Sequence, residues 1–84
     1  MINNNNNNKE GLMTIKYLEL NPREKHIFNN ATVFSVWSKN IKQSFTSVKS
    51  LEMYAKKLIV CKPNTKFLVY AVMDNTDACI GTIN

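Results

Sequence analysis

The chain has 84 residues, 44% of them hydrophobic, and a formal net charge of +5 from eleven Lys or Arg against six Asp or Glu. This length allows one small domain at most, and the apolar content is typical of a folding chain, which excludes a wholly disordered protein. The basic residues are scattered singly apart from Lys56 and Lys57, so we expect a solvated basic face and disfavour nucleic acid as a partner.

Cysteine usage and hydropathy bear on the compartment. Cys61 and Cys79 lie far apart and the N-terminus shows no secretory leader, which favours reduced thiols in the cytoplasm. The chain has one histidine, His26, and no closely spaced cysteine pair, so no metal site is predicted. No apolar run is long enough to span a bilayer, so no membrane association is predicted.

Residues 1–12 form a low-complexity segment. Asn3 through Asn8 are consecutive asparagines, which have no apolar surface to bury. The segment is predicted to be a disordered Asn-rich tail, and residues 13–84 are predicted to be the folded part. Met13 is a possible alternative start of translation.

The first predicted elements are a strand and a helix. Thr14–Leu20 alternates apolar and polar residues and is predicted to be a strand. Asn21-Pro22-Arg23-Glu24 then combines an N-cap, a proline at the first helical position and a capping-box glutamate, so a helix is predicted to begin there. Its apolar stripe is predicted to comprise Ile27, Phe28, Ala31, Phe34, Trp37 and Ile41. β-branched residues weaken this stripe, so the alternative is a helix that breaks near Ser35 or Trp37 into a second short piece.

A second helix is predicted after a loop over Gln43–Ser47. Ser47 is placed to cap it, and its apolar side shows Val48, Leu51, Ala55, Leu58 and Ile59. Pro63 disfavours helical geometry at the residue before it, so the helix is predicted to end around Cys61.

A hairpin is predicted at the C-terminal end. Phe67–Met73 is apolar on both faces, as expected of an inner strand. Asp74–Asp77 is predicted to be a four-residue turn, after which Cys79–Ile83 pairs back. The predicted fold class is therefore α+β, with the order β-α-α-β-β and a C-terminal antiparallel hairpin.

No set of residues predicts catalysis, and no catalytic, cofactor-binding or metal-binding residue is assigned. His26 has no carboxylate spaced to partner it, so a surface histidine is favoured. Asp74 and Asp77 are interpreted as turn residues rather than as paired catalytic carboxylates. Gly81 indicates either a bulge or the close approach of another backbone or a ligand.

A first strand, a helix opening at Asn21-Pro22, a Ser47-capped helix and a hairpin ending in Ile80-Gly81-Thr82-Ile83 follow one another in this chain. Together they resemble the N-terminal half of a GNAT-superfamily N-acetyltransferase, and within it the branch that acetylates ribosomal-protein N-termini. The resemblance covers Thr14 to Asn84 and depends on element order and an Ile-Gly dipeptide.

The resemblance implies a partial domain. Members of this superfamily hold the pyrophosphate of acetyl-CoA with a Gly-rich loop at a helix start after the next strand, and this chain ends at Asn84 before such a strand. Acetyl-CoA is therefore expected only for a complete domain, and no site residue is carried over. Phe34 and Trp37 correspond to the acceptor side of the family, but core packing is the preferred interpretation.

Three hypotheses follow from the sequence. The first is a truncated acetyltransferase-like domain that is inactive alone. The alternative is a small basic binding module for a protein partner or nucleic acid, which would offer an open sheet edge at Ile80–Ile83 for strand addition. In the third, a complementing chain supplies the other half of a split enzyme.

Overall fold

A computed structural model describes residues 14–84, in which five strands form one antiparallel sheet with two helices. The predicted α+β class is therefore confirmed, while the predicted disordered tail over residues 1–12 lies outside the described residues. In chain order the elements are β1 (Ile15–Tyr17), α1 (Pro22–Asn30), β2 (Val33–Trp37), β3 (Lys42–Phe45), α2 (Val48–Cys61), β4 (Phe67–Met73) and β5 (Thr76–Ile83). Across the sheet the strands follow the order β1-β5-β4-β2-β3.

Both helices begin where their capping residues predict. The Glu24 amide donates to Asn21 Oδ1 at 2.8 Å, and the Asn21 amide donates to Glu24 Oε1 at 2.9 Å, which completes the capping box. At the second helix, the Ser50 amide donates to Ser47 Oγ at 3.2 Å. That helix ends at Cys61, as the position of Pro63 predicts.

The first helix ends at Asn30, so the predicted helical stripe through Phe34, Trp37 and Ile41 is wrong beyond that residue. The chain is already extended at Ala31, with φ −67° and ψ 140°. It then enters β2, whose five residues pair with β4. Sequence spacing fits a helix here, but β-branched and aromatic residues paired across a sheet form a more favourable arrangement, and the non-local contacts override the local pattern.

The predicted loop over Gln43–Ser47 is also wrong in part. β3 occupies Lys42–Phe45 and pairs with β2 around a short connection, in which the Ser38 amide donates to the Ile41 carbonyl at 2.8 Å. The observed order is therefore β-α-β-β-α-β-β, with a hairpin inserted between the two helices.

The C-terminal hairpin forms as predicted, but with a tighter turn. Met73 lies opposite Thr76, so the loop contains only Asp74 and Asn75, and Asp74 adopts the left-handed φ of 54°. The four-residue turn is wrong, and Asp77 belongs to β5. Further along, the register shifts so that one residue of β5, Ile80, is inserted as a bulge.

β1 closes the edge that the sequence left open. It pairs with β5 from Ile15 opposite Ile83 to Tyr17 opposite Gly81, so the expected free edge at Ile80–Ile83 is wrong. The sheet instead ends at β1 and β3. Gly81 is needed at this junction because a Cβ there would lie 2.9 Å from the Lys16 carbonyl oxygen and 3.0 Å from Ile15 Cγ2.

The core lies between one face of the sheet and the two helices. The α1 helix contributes Ile27, while α2 contributes Leu51, Ala55 and Leu58. Facing them are the inward residues of the sheet, which are Ile15, Phe34, Val36, Phe67, Val69, Ala71, Ala78, Ile80 and Ile83. All of these side chains are buried and form one continuous apolar layer. Every element except β3 contributes to it, and β3 packs the half-buried Phe45 against its border.

A polar contact links β1 to α2 at the border of this core. The Tyr17 hydroxyl donates to Glu52 Oε2 at 3.2 Å, and its ring stacks on Phe28 with centroids 5.9 Å apart. Burial of the phenol, together with the nearby Glu52 charge and the hydrogen bond, raises the pKa of Tyr17 to about 12.

We expect Gly81→Ala to destabilise the fold by about 1–3 kcal/mol, because the new Cβ meets backbone that only a shift of β1 can relieve. Urea unfolding measures this loss. The neighbouring Thr82→Ala removes atoms and adds none, so it should cost less. An equal loss in both variants would contradict the close approach of β1.

We also expect the free energy of unfolding to fall between pH 10 and pH 12 in a way that depends on Tyr17. The folded chain keeps the phenol proton up to about pH 12, whereas the unfolded chain loses it near 10, so the folded state binds more protons in this window. Subtracting the pH profile of Tyr17→Phe isolates the effect from lysine titration. Because burial is the largest cause of the raised pKa, Glu52→Gln should retain part of the slope, and identical profiles for wild type and Tyr17→Phe would contradict the assignment.

Candidate binding surface on the open face of the sheet

One face of the sheet carries no helix from the described part of the chain. Along each strand, alternate residues point away from α1 and α2, and we call the surface they form the open face. Its members, taken from the cross-strand register, are Lys16, Val33, Ser35, Trp37, Lys42, Ser44, Leu68, Tyr70, Val72, Asp77, Cys79 and Thr82. The open face is therefore apolar and aromatic along its middle strands and polar at its sides.

A single line of side chains crosses all five strands of this face. Lys16 pairs with Thr82, Thr82 with Leu68, Leu68 with Trp37 and Trp37 with Lys42. We call these residues the cross-strand row. With strands spaced by about 4.8 Å, the row is about 19 Å long. It places an exposed aromatic and an exposed aliphatic side chain between two lysines.

Trp37 is the one aromatic residue of the row. Its side chain is 41% exposed, whereas Phe34 on the same strand is 5% exposed and faces the helices. The preference for core packing is therefore right for Phe34 and wrong for Trp37. The Lys42 ammonium lies 4.5 Å from the indole centroid, and the Tyr70 ring lies 5.7 Å away at an interplanar angle of 53°.

A pocket opens at the Trp37 end of the open face. Its volume is about 500 Å³, and its lining consists of Trp37, Ser38, Lys39, Lys66 and Leu68. Lys39 comes from the β2–β3 connection and Lys66 from the residue before β4, so antiparallel pairing brings these two cations to the same end of the sheet. The volume lies within the ~300–1,000 Å³ typical of small-ligand sites.

Charge is distributed unevenly along the open face. The cross-strand row and the pocket together carry Lys16, Lys39, Lys42 and Lys66 and no carboxylate. Asp77 lies at the far end, opposite Val72, close to the hairpin turn. The Trp37 end is therefore the cationic end of the face, and an anionic ligand is the chemistry that matches it.

The other residues considered from the sequence do not come together. His26 lies exposed on α1 beside Asn30, whose Nδ2 donates to the His26 carbonyl at 2.9 Å. Cys61 is exposed on α2 and Cys79 half-buried on β5, both as free thiols. Within residues 14–84 no cluster of three or more His, Cys, Asp or Glu side chains is placed to hold a metal ion. Neither helix of that range is long and apolar enough to cross a membrane.

Sequence reasoning missed this surface because its residues come from four separate places in the chain. One signal was available in Phe67–Met73, whose apolar residues on both faces require either a covering layer or a ligand on the second face. Alternation in Val33–Trp37 was the other signal, since it puts Phe34 and Val36 on one side and Trp37 on the other.

Comparison with known proteins leaves the question of family open. No protein-family model matches the chain, and neither a curated protein nor a solved structure matches it. The acetyltransferase resemblance therefore stays a prediction.

Proposed function

We propose that residues 14–84 form a nucleic-acid-binding module that uses the open face of the sheet. The observation that supports this most directly is the cross-strand row, in which Trp37 and Leu68 lie between Lys16 and Lys42. Phosphate contacts by lysine supply affinity without regard to sequence, and aromatic rings offer stacking surfaces to bases. This combination suits a nucleic acid better than a purely acidic peptide, which has charges but few flat rings.

The arrangement of the two helices supports the same surface. They pack on the opposite side of the sheet, and Trp37 and Leu68 are exposed on the open face, while Ser35 in its middle is buried. The sheet also fixes the backbone positions of the lysines of the cross-strand row and of Trp37 before a ligand arrives, which lowers the entropic cost of binding.

We expect the protein to bind a single-stranded oligothymidine of about 12 nucleotides with a Kd of roughly 1–100 µM near physiological salt, weakening steeply as salt rises. Fluorescence anisotropy of a labelled strand measures this. The double variant Lys39→Ala/Lys66→Ala should reduce the slope of log K against log salt by about 1.4, because each lysine neutralises about one phosphate and each phosphate of a single strand contributes about 0.7 to the slope.

A matched control removes two exposed lysines from α2. Lys56→Ala/Lys57→Ala lowers the net charge by the same amount but lies on the helical side of the protein. We expect it to retain most of the wild-type salt slope. Equal losses in the two double variants would show a non-specific charge effect, and no binding by wild type at low salt would contradict the proposal. A concentration-dependent dimer that buries Trp37 and excludes the strand would also contradict it.

A second proposal is that the chain is the N-terminal part of an acetyltransferase-like fold. It is supported by β1, by helices that begin at Asn21-Pro22 and after Ser47, and by the hairpin that contains Gly81. The hairpin of β2 and β3 weighs against it, because a continuation of the first helix was expected there.

Acetyl-CoA binding tests the second proposal. The 84 residues contain two glycines, Gly11 and Gly81, and no Gly-rich pyrophosphate loop. We therefore expect the chain alone to show no micromolar acetyl-CoA binding by calorimetry, and we expect co-expression with a polypeptide that encodes such a loop to restore it. Micromolar binding by the chain alone would overturn the expectation that it is inactive by itself, and failure of every adjoining reading frame to encode such a loop would contradict this second proposal.

A further inference from the structure

We propose that the pocket at the Trp37 end receives one unpaired nucleobase, with the flanking phosphates held by Lys39 and Lys66, so that the module selects single strands over duplexes. This inference rests on the proposed function and adds the ligand class. The selection of an unpaired base depends on the shape and lining of the pocket rather than on the net charge of the protein.

The lining of the pocket matches the two parts of a nucleotide. Trp37 and Leu68 form an apolar wall, and both side chains are exposed, at 41% and 37%. Lys39, Lys66 and Ser38 complete the lining and are polar residues. A flat ring fits the apolar part, while its phosphates lie within reach of the lysines. A simple polyanion would use the lysines and leave the apolar wall uncovered.

In the free protein the Lys42 ammonium lies over the indole ring, and a bound base would take its place. This ammonium lies 4.5 Å from the Trp37 centroid, a cation–π contact at an exposed site. A base stacked on the same ring makes a larger flat contact, and the freed ammonium then reaches a phosphate of the same strand. Binding therefore replaces a weak internal contact with two intermolecular ones.

A base within a duplex does not fit this site. In a duplex each base is stacked between its neighbours and its flat surfaces are inaccessible to a side chain, so only an unpaired base can lie against Trp37. The Tyr70 ring is tilted by 53° relative to the indole, so a base stacked flat on Trp37 would not be parallel to Tyr70. The pocket therefore has one principal stacking position.

The experiment compares three labelled ligands of equal length, about 12 nucleotides: an oligothymidine, an abasic strand and a thymidine–adenosine duplex. We expect wild type to bind the oligothymidine about tenfold or more tightly than the abasic strand at equal salt. Trp37→Ala should reduce oligothymidine binding to the abasic level and leave abasic binding unchanged, while Trp37→Phe should recover most of the difference. Met53→Ala, an exposed apolar change on α2, is the control and should change nothing.

Trp37 also provides a label-free signal because it is the one tryptophan of the chain. Its fluorescence should be quenched by unlabelled oligothymidine and not by the abasic strand. Equal affinity for all three ligands would overturn the base pocket and leave nucleic-acid binding intact, whereas no affinity for any of them would overturn both. A thermal melt of Trp37→Ala by circular dichroism checks that this exposed substitution leaves the fold in place.

Discussion

The pairing of β2 with β4 is the interaction on which both the fold and the proposed surface depend. It joins five residue pairs, from Val33 opposite Val72 to Trp37 opposite Leu68. On the inner side it aligns Phe34 and Val36 with the core, and on the outer side it puts the indole beside Leu68. If this segment formed the helix that its sequence spacing predicts, Trp37 would have no strand neighbours, and Lys42 would not lie over its ring.

The central strand β4 serves both sides of the sheet because it is paired along both of its edges. Its inward residues Phe67, Val69 and Ala71 are fully buried, and their burial holds the strand in place. The outward residues Leu68 and Tyr70 lie on the open face, where Leu68 is exposed and the Tyr70 ring contacts Trp37. Because successive side chains of a strand point to opposite faces, the core residues and the residues of the candidate site lie on opposite sides of the same strand.

The basic residues show why linear spacing is a poor guide to charge on a sheet. Lys16, Lys39, Lys42 and Lys66 are isolated from one another in the sequence, which disfavoured nucleic acid as a partner. Antiparallel pairing places neighbouring strands about 4.8 Å apart. It brings Lys39, Lys42 and Lys66 to the Trp37 end of the sheet and puts Lys16 at the other end of the cross-strand row. The carboxylates Asp74 and Asp77 are drawn to the opposite end by the same register.

The sequence alone determined the features that depend on neighbouring residues. These are the capping box at Asn21 and Glu24, the Ser47 cap, the helix end near Cys61 and the hairpin after Phe67, each of which involves contacts within a few positions. Tertiary structure alone decided the strand at Val33–Trp37, the pairing of β1 with β5 and the exposure of Trp37. Apolar residues in that segment satisfy a helical and a strand period alike, and only the free energy of pairing with a strand 31 to 39 residues further along the chain selects between them.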